Sequence, residues 1–412
     1  MNKCLFDIIG VGTGPFNLSL AALSENSSLK NIFFDRKNEY SWHPGMQINF
    51  ATIQNNSLRD LVSLAKPDSY YSFNNFLKVN SRLEQHMIAR FPATYRWEFE
   101  QYLKWVIDNL STVKLGYEIV EIEELKEGFQ VTTRHDNQLV KYRTKNLSLG
   151  VGVIPNVPDN FKVKLSKNIF HNSSYKLVDP KKFESKNVII VGAGQSGLEV
   201  SLDLLSMSTN SPSTIKLINR QPFIHQIEDS HFAEEVVFTE NGLNSYFDLN
   251  SSQKKALNAK YRLTSDGASP ETISALFQKV YINNFNYIES PEFTIENNSE
   301  VVEIKIRKDG SYEVVIEDVI GENKKKLDSD IIILCTGYKQ HFPKEIFNEG
   351  LLEKIGLNED DLPIINKEYQ LQYSGVGNIY VVNGAKHTHG VVDPNLSLSA
   401  IRAQSIINSL SL

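Results

Sequence analysis

Two glycine-rich turns are the residues of this chain best suited to chemistry, because each could hold the phosphates of a dinucleotide. The first, GVGTGP at 10–15, follows an apolar run at 6–9, and the second, GAGQSG at 192–197, follows an apolar run at 188–191. Each turn lies where a predicted strand leads into a predicted helix. Glycine permits the tight turn and lets the backbone approach a pyrophosphate at the N–H groups of the helix N-terminus. One such turn occurs in many α/β proteins, but two in this context predict two dinucleotide sites.

The residue that ends the next predicted strand distinguishes the two sites. Asp35 ends the strand after the first turn, and an acid about twenty residues beyond the glycines accepts hydrogen bonds from a ribose diol, as in FAD or NAD. Arg220 takes that place after the second turn, where no acid stands. An arginine suits the additional 2′-phosphate of NADPH through a forked contact, although a surface cation at a strand end is the alternative. The pattern favours FAD at the first turn and NADPH at the second.

Length and composition exclude several other classes of protein. The 412 residues are enough for two or three domains, and a net charge of -6 without a basic stripe argues against a nucleic-acid partner. The first predicted strand begins near Phe6, which leaves no room for a signal peptide, and no apolar run has the length of a membrane span, so a cytoplasmic protein is expected. The only cysteines, Cys4 and Cys335, lie far apart, which excludes a disulfide framework and the CxxC pair of flavin disulfide reductases.

The elements that must position the two turns alternate along the chain. The sequence predicts buried parallel strands at 146–150, 330–338 and 378–383, antiparallel ribbons at 117–134 and 301–319, and mainly helical structure at 251–284. We therefore predict an α/β fold with two interleaved Rossmann-like dinucleotide-binding domains and a smaller, mainly helical substrate region. The expected divisions are the first part of an FAD-binding domain at 1–165, an NADPH-binding domain at 166–340 with a substrate-region insertion at about 230–290, and a C-terminal return to the FAD-binding domain and active site at 341–412.

Motifs along nearly the whole chain resemble those of a known enzyme family. They are similar, in order, to the flavin-dependent N-hydroxylating monooxygenases, and in particular to the lysine/ornithine N-monooxygenases of siderophore biosynthesis. The matching stretches are 7–23, 33–46, 58–63, 71–77, 98–105, 191–199, 264–267, 334–338 and 388–398. The resemblance implies that NADPH reduces bound FAD, that the reduced flavin activates molecular oxygen, and that the terminal amine of a small cationic substrate becomes a hydroxylamine.

The resemblance also assigns residues to the cofactors. It places flavin contacts at Gly10, Gly12, Gly14, Pro15, Asp35, Trp42, His43 and Gln54, and NADPH contacts at Gly192, Gly194, Gln195, Ser196, Gly197 and Arg220. Trp42 and His43 could instead be ordinary core residues after the second strand. No metal is expected, because the close histidine pair His387 and His389 has only Asp393 as a nearby further ligand.

Substrate recognition is expected to depend on Arg59. In the family, a basic residue five positions after the glutamine, usually lysine, meets the carboxylate of an amino-acid substrate. Arg59 keeps that charge but changes its reach and geometry, and residues 55–57 (Asn-Asn-Ser) depart from the apolar and small residues usual there. The alternative for Arg59 is an ion pair with Asp60 or another neighbouring acid.

The remaining site residues also follow from the resemblance. Catalytic roles are expected for Gln54, Arg59 and Ser397, and substrate contacts for Arg59, Glu234, Ser265, Asp266 and Ser397. An adjacent glutamate pair such as Glu234 and Glu235 is, however, typical of a solvated face.

The identity of the amine stays open at this point. L-Lysine is the first candidate, because the stretches at 264–267 and 388–390 resemble lysine enzymes; ornithine, putrescine, cadaverine and histamine are alternatives. Two other classes are a flavin reductase without hydroxylation and a catalytically silent dinucleotide-binding scaffold. The expected partners are the amine and molecular oxygen, with a homo-oligomer as a further expectation.

Overall fold

The computed structural model describes residues 5–25, 27–162, 164–286, 290–321 and 323–411, and Cys4 lies outside them. Strands occur in both halves of the described chain, with long strand-free stretches at 36–112 and 219–286. They are, in chain order, β1 (Leu5–Val11), β2 (Asn31–Asp35), β3 (Val113–Leu115), β4 (Glu118–Glu124), β5 (Phe129–His135), β6 (Gln138–Leu149), β7 (Val153–Pro155), β8 (Ile169–His171), β9 (Asn187–Val191), β10 (Thr214–Ile218), β11 (Glu292–Glu296), β12 (Ser299–Ile306), β13 (Tyr312–Asp318), β14 (Lys324–Ser329), β15 (Ile331–Leu334), β16 (Tyr338–Gln340) and β17 (Asn378–Val381).

Most of the α-helices follow the two glycine turns or lie in three groups, at 73–109, 231–285 and 386–410. They are α1 (Pro15–Ser24), α2 (Phe73–Val79), α3 (Leu83–Ala89), α4 (Arg96–Asn109), α5 (Asp159–Lys162), α6 (Gln195–Leu205), α7 (His231–Val237), α8 (Glu240–Phe247), α9 (Ser251–Lys260), α10 (Leu263–Asp266), α11 (Pro270–Phe285), α12 (Glu349–Leu352), α13 (Lys386–His389) and α14 (Ser399–Leu410). Helix α1 follows the first glycine turn and α6 follows the second. The helices α7 to α11 lie between β10 and β11, which confirms the prediction of mainly helical structure at 251–284.

The first glycine turn lies at one end of a seven-stranded sheet. Its order is β3-β2-β1-β6-β5-β4, with β17 on the other side of β6. Strands β1, β2, β3 and β17 run parallel to their neighbours and to the end of β6, whereas β4, β5 and β6 are antiparallel. The strand expected at 146–150 is the end of the much longer β6, and the return of the chain at 378–383 is confirmed as β17.

The second glycine turn belongs to a separate sheet. This five-stranded sheet has the order β11-β10-β9-β15-β8, and every pair in it is parallel. Strands β12, β13 and β14 form an antiparallel sheet beside it, as the alternating pattern at 301–319 predicts. Because β17 returns to the first sheet after the second is complete, the two α/β units are interleaved, and the predicted fold class is confirmed. The divisions at about 165 and 340 remain a prediction.

The two units are joined by a pair of strands at the connections between them and by residues of the first unit that pack in the core of the second. Strand β7, which leaves the first sheet, pairs antiparallel with β16, which leaves the second. Met46, Ile48 and Ala51 come from the first unit but pack in the core of the second, with residues such as Val188 and Leu198. Among the residues that the structure describes, no helix has both the length and the apolar character needed to cross a membrane.

Candidate active site

Two positions of the first glycine turn, Gly10 and Gly12, have no room for a side chain. Gly12 has φ = 84°, and a Cβ atom there would lie 2.5 Å from the carbonyl oxygen of Gly150. A Cβ atom on Gly10 would lie 2.0 Å from the ring of Phe33. Gly14 directly precedes α1, so the free N–H groups of that helix open beside the turn. This arrangement provides the close backbone approach that a pyrophosphate requires.

Asp35 is held beside the first turn by backbone and side-chain donors. The N–H and hydroxyl of Thr13 both donate to its Oδ2 at 3.0 Å, and the N–H of Lys37 donates to its Oδ1 at 3.0 Å. The carboxylate is half-buried, and since two oxygens offer about four acceptor sites, capacity remains for a ribose diol. Asp35 therefore lies beside the first turn with acceptor capacity left, and its contact with a ribose remains a prediction.

A cavity of about 1130 Å³ runs along the first turn. Ligand pockets for drug-sized molecules are about 300–1,000 Å³, so this cavity has the size expected for a dinucleotide. Of the predicted flavin residues, the cavity is lined by Gly12, Gly14, Pro15, Asp35, Trp42 and His43. Gly10 and Gln54 do not line it. The glycine turn, the acid and the cavity together fit FAD.

Trp42 and His43 form part of the cavity wall. Their rings lie 4.8 Å apart edge to face, and the ring of His43 lies 6.0 Å from that of Tyr338. His43 is exposed toward the cavity. The protein atoms packed around it desolvate the imidazole, and this desolvation, with the charges of Arg96 and Lys37, lowers the pKa of His43 to about 4. His43 is therefore neutral near pH 7. A place in the cavity wall agrees with the predicted flavin contact of His43 rather than with the alternative of an ordinary core residue.

The second glycine turn repeats the steric logic of the first. Gly192 has φ = 108°, and a Cβ atom there would lie 2.3 Å from the carbonyl oxygen of Cys335. A Cβ atom on Gly197 would lie 1.9 Å from the carbonyl oxygen of Gly192, so the helix packs directly on the turn. Gly194 precedes α6, and Ser196 is half-buried in its first turn. The turn fits a second dinucleotide.

Arg220 lies close to the second turn along the sheet. The N–H of Gly192 donates to the carbonyl of Ile218 at 3.0 Å, two residues before Arg220. Arg220 is exposed, and within the described ranges its guanidinium has no ion-pair partner. Asn219, in contrast, is buried and donates from Nδ2 to Asn297 Oδ1. A free cation thus lies at the strand end where a 2′-phosphate is expected.

Gln54 and Gln195 link the two units directly. Gln54, with φ = 56°, donates from Nε2 to Gln195 Oε1 at 3.3 Å. Gln195 also donates to Glu199 at 2.9 Å and to Thr272 at 3.0 Å, and it accepts from the N–H of Ser269 at 2.8 Å. The two predicted glutamines therefore lie together, at the junction between the first unit and the second glycine turn.

Arg59, Ser397 and Glu234 come together from three distant parts of the chain. Arg59 donates from Nη2 to Glu234 Oε2 at 2.9 Å and from Nη1 to Ser397 Oγ at 3.3 Å. The side chains of Arg59 and Glu234 are 23% and 38% exposed, so the pair is reachable but shielded. Asp60 accepts instead from backbone N–H groups, including that of Phe73, which leaves Glu234 as the acid paired with Arg59. We call Arg59, Glu234 and Ser397 the substrate triad, after the role that the family resemblance predicts for them.

The family of the chain follows from comparison with known proteins. A family model described as L-lysine 6-monooxygenase/L-ornithine 5-monooxygenase matches residues 4–340. The chain belongs to this family. The resemblance that the sequence motifs indicated is thereby confirmed, and so is the enzyme class, an N-monooxygenase.

Relatives of this monooxygenase differ in the amine they are named for. The chain is 29% identical to the L-lysine N6-monooxygenase of Escherichia coli, over 98% of this chain and 93% of that protein. It is 27% identical to the putrescine N-hydroxylase of Shewanella oneidensis, over 100% of this chain and 82% of that protein. The ornithine N-hydroxylase of a Kutzneria species, solved with reduced FAD, NADP⁺ and L-ornithine, superposes with a TM-score of 0.92 at 25% identity and covers 99% of both chains.

The other predicted substrate residues of the monooxygenase lie elsewhere. Ser265 and Asp266 are exposed, bond to each other at 2.8 Å, and in the described part of the chain have no hydrogen bond or ion pair with the substrate triad. The carbonyl of Asp266 is 3.8 Å from a Cβ position on Gly194, so this segment borders the second glycine turn. Their role in substrate binding remains a prediction. Glu235 is exposed, unlike Glu234.

Sequence reasoning missed two asparagines in the monooxygenase that hold Ser397. The hydroxyl of Ser397 lies 2.5 Å from Asn395 Oδ1 and 3.0 Å from Asn55 Oδ1, and Asn55 is only 6% exposed. Because these oxygens accept, Ser397 can donate to one of them while it accepts from Arg59. The departure of residues 55–57 from the family pattern was the available signal, since a buried asparagine needs polar partners.

The histidine pair of the monooxygenase is engaged with backbone rather than facing a shared site. His387 Nε2 lies 2.7 Å from the carbonyl of Pro363, and His389 Nε2 lies 3.3 Å from that of Lys367. His389 is buried and stacks on Tyr369 with ring centroids 4.1 Å apart. Within the described ranges, no group of three His, Cys, Asp or Glu side chains is arranged to hold a metal ion.

Burial of His389 predicts a stability change in mild acid. Burial lowers the pKa of His389 to about 3, so between the unfolded value near 6.5 and pH 3 the unfolded chain binds the extra proton. The free energy of unfolding should therefore fall as pH falls below about 6.5. Relative to His389→Phe, which keeps a ring on Tyr369, the wild type should lose about 2 kcal/mol between pH 7.5 and pH 5.

Urea unfolding of both proteins at the two pH values measures this difference. The control is His135→Phe, because His135 also stacks on a tyrosine, Tyr117, at 3.9 Å but is only half-buried. An unchanged gap between wild type and His389→Phe at both pH values would show that His389 does not carry the acid sensitivity.

Proposed function

We propose that this protein is an FAD- and NADPH-dependent monooxygenase that N-hydroxylates the terminal primary amine of a small cationic metabolite for hydroxamate siderophore biosynthesis. L-Lysine is the first candidate for that metabolite. The observation that carries the proposal is the substrate triad, in which a cation, an anion and a hydroxyl meet in one half-buried cluster. A cytoplasmic location and a homo-oligomer remain predictions.

The two glycine turns divide the cofactors between them. Gly12, Gly14 and Asp35, with the rings of Trp42 and His43, line the cavity that would hold FAD. Gly192, Gly194 and Gly197 would admit the pyrophosphate of NADPH, with Arg220 for its 2′-phosphate. When bound, the flavin supplies the oxygen chemistry and takes its electrons from NADPH. The protein itself must bind the amine, orient it and exclude water.

The charges of the substrate triad match an amino-acid head group. The α-carboxylate of lysine can replace Glu234 on the guanidinium of Arg59, and its α-ammonium can replace Arg59 on the carboxylate of Glu234. Each residue then exchanges one opposite charge for another, so neither is left unpaired. The terminal amine of the side chain is then not held by the triad, and the lining of the flavin cavity includes Leu396, the residue next to Ser397.

A diamine makes a poorer match with the same residues. Putrescine and cadaverine offer an ammonium to Glu234 but no carboxylate to Arg59, so binding would leave the guanidinium without its counter-charge. The triad therefore supports an α-amino acid, lysine or ornithine, over putrescine, cadaverine and histamine.

Product analysis tests this proposal. Purified protein with FAD, NADPH and air should oxidise NADPH slowly without amine, because reduction of the flavin does not require the amine. When L-lysine is supplied, the oxidation of NADPH should instead yield hydroxylamine, because the hydroxylation step uses the amine. The measurement is NADPH oxidation, hydroxylamine and hydrogen peroxide across lysine, ornithine, putrescine, cadaverine and histamine.

The same assay separates the alternatives. If every amine leaves all the consumed oxygen as hydrogen peroxide, the protein is a flavin reductase. Absence of NADPH oxidation by protein that retains FAD would instead support the silent scaffold.

A further inference from the structure

Arg96 and Glu199 form an ion pair between the two dinucleotide-binding units. Arg96 is the first residue of α4 in the first unit, and Glu199 lies on α6, directly after the second glycine turn. Arg96 Nη1 donates to Glu199 Oε2 at 3.1 Å, and Nη2 donates to Oε1 at 3.0 Å. The side chain of Glu199 is fully buried and that of Arg96 is 13% exposed. A buried, bidentate ion pair of this kind fixes both the distance and the relative orientation of the guanidinium and the carboxylate.

The pair belongs to a chain of hydrogen bonds that crosses the unit boundary twice, once from Arg96 to Glu199 and once from Gln54 to Gln195. Arg96 Nη1 also donates to the carbonyl of Met46, which lines the flavin cavity, at 2.5 Å. Glu199 Oε1 also accepts from Gln195, and Gln195 Oε1 accepts from Gln54 of the first unit. This hydrogen-bond chain thus reaches the flavin cavity at Met46 and the second glycine turn at Gln195.

The backbone around this hydrogen-bond chain is closely packed. Met46, Ile48 and Ala51 pack in the core of the second unit. A Cβ atom on Gly45 would lie 1.8 Å from the carbonyl oxygen of Ser173, so the two backbones are in direct contact there. The ion pair therefore lies at a packed joint, where its geometry is transmitted to both dinucleotide sites.

We propose that Arg96 and Glu199 are positioning residues that set the second glycine turn relative to the flavin cavity, and thereby the rate at which NADPH reduces the flavin. The proposal rests on the proposed binding of NADPH at 192–197. Transfer between two cofactors depends on their separation, and a misplacement of about 1 Å can cost roughly a hundredfold in rate. Neither residue needs to touch a reacting atom.

Glu199→Gln tests the pair with little change of shape. It removes the counter-charge of Arg96 and one acceptor, so flavin reduction by saturating NADPH, followed anaerobically by stopped flow, should slow at least tenfold. Reduction of the bound flavin by dithionite, which does not use the second glycine turn, should be unchanged. The control is Arg307→Gln, which breaks the exposed pair of Arg307 with Asp328 at the antiparallel sheet of β12 to β14 and should leave both rates unchanged.

A second variant keeps the test decisive if Glu199→Gln fails to retain FAD. Arg96→Lys preserves the charge but cannot make two parallel bonds, so NADPH reduction should slow by a smaller factor, about threefold to tenfold, with dithionite reduction unchanged. Flavin reduction within twofold of wild type in the folded variants, even with a lowered melting temperature, would show that the pair only stabilises the fold. A wild type that NADPH fails to reduce would overturn the proposed function instead.

Discussion

Replacing Arg59 with alanine should weaken the use of L-lysine by about 2 to 4 kcal/mol, or roughly 30-fold to 1,000-fold in kcat/KM, with flavin reduction by NADPH little changed. This is the scale for truncating one partner of a shielded charge pair, and Arg59 is shielded, bonded to Glu234 at 2.9 Å and to Ser397 at 3.3 Å. The measurement is hydroxylamine formation against lysine concentration, beside stopped-flow reduction of the flavin.

Cadaverine is the matched substrate, because it differs from lysine only by the carboxylate. Arg59→Ala should leave cadaverine unaffected or improve it, since the cation that opposes a diamine is gone. Glu234→Gln should weaken both amines, because each offers an ammonium to that carboxylate. Arg82→Ala is the control: it removes a partly shielded arginine bonded to Glu98 at 3.3 Å and should change neither substrate.

One specific outcome would contradict the proposal that L-lysine is the substrate. A wild type that prefers cadaverine, with a preference that survives in Arg59→Ala, would mean that Glu234 permanently occupies Arg59 as an internal substitute for a substrate carboxylate. The protein would then be a diamine monooxygenase on the same fold.

The dinucleotide turns could be predicted from sequence because their determinants are local. Gly12 and Gly192 both have positive φ, and their neighbours along the chain already specify a strand before and a helix after. Local patterns failed at β6, where only the end at 146–150 was expected. The first part of that strand alternates between exposed and buried residues, whereas its last four residues are all buried, so one strand carries two patterns.

The joint between the units could not be predicted, because its contacts span long separations. Arg96 and Glu199 are 103 residues apart, and nothing in either local sequence marks them as partners. Arg59 and Glu234 are 175 residues apart, and only the family resemblance placed both near substrate. The local sequence around a charged residue does not specify which opposite charge the fold brings next to it.

Replacing Arg220 with alanine should raise the NADPH concentration required for flavin reduction roughly tenfold to a hundredfold and leave NADH nearly unaffected. A charge-assisted contact to phosphate is worth about 1.5 to 3 kcal/mol, and only NADPH carries the 2′-phosphate. The structure leaves the guanidinium exposed at the end of β10, beside a turn that bonds to the same strand through Gly192 and Ile218. Wild-type enzyme should accordingly prefer NADPH over NADH by a similar factor.

Lys216→Ala separates this role from a general effect of positive charge. Lys216 lies on β10, four residues before Arg220. Replacing it with alanine changes the net charge as much as Arg220→Ala does, but at a position farther from the second glycine turn. Initial rates of flavin reduction across NADPH and NADH concentrations, for wild type and both variants, give the four comparisons needed. Equal losses for the two coenzymes in Arg220→Ala, or an NADPH loss in Lys216→Ala of the same size, would remove Arg220 from the coenzyme site, because a 2′-phosphate contact can act on NADPH alone.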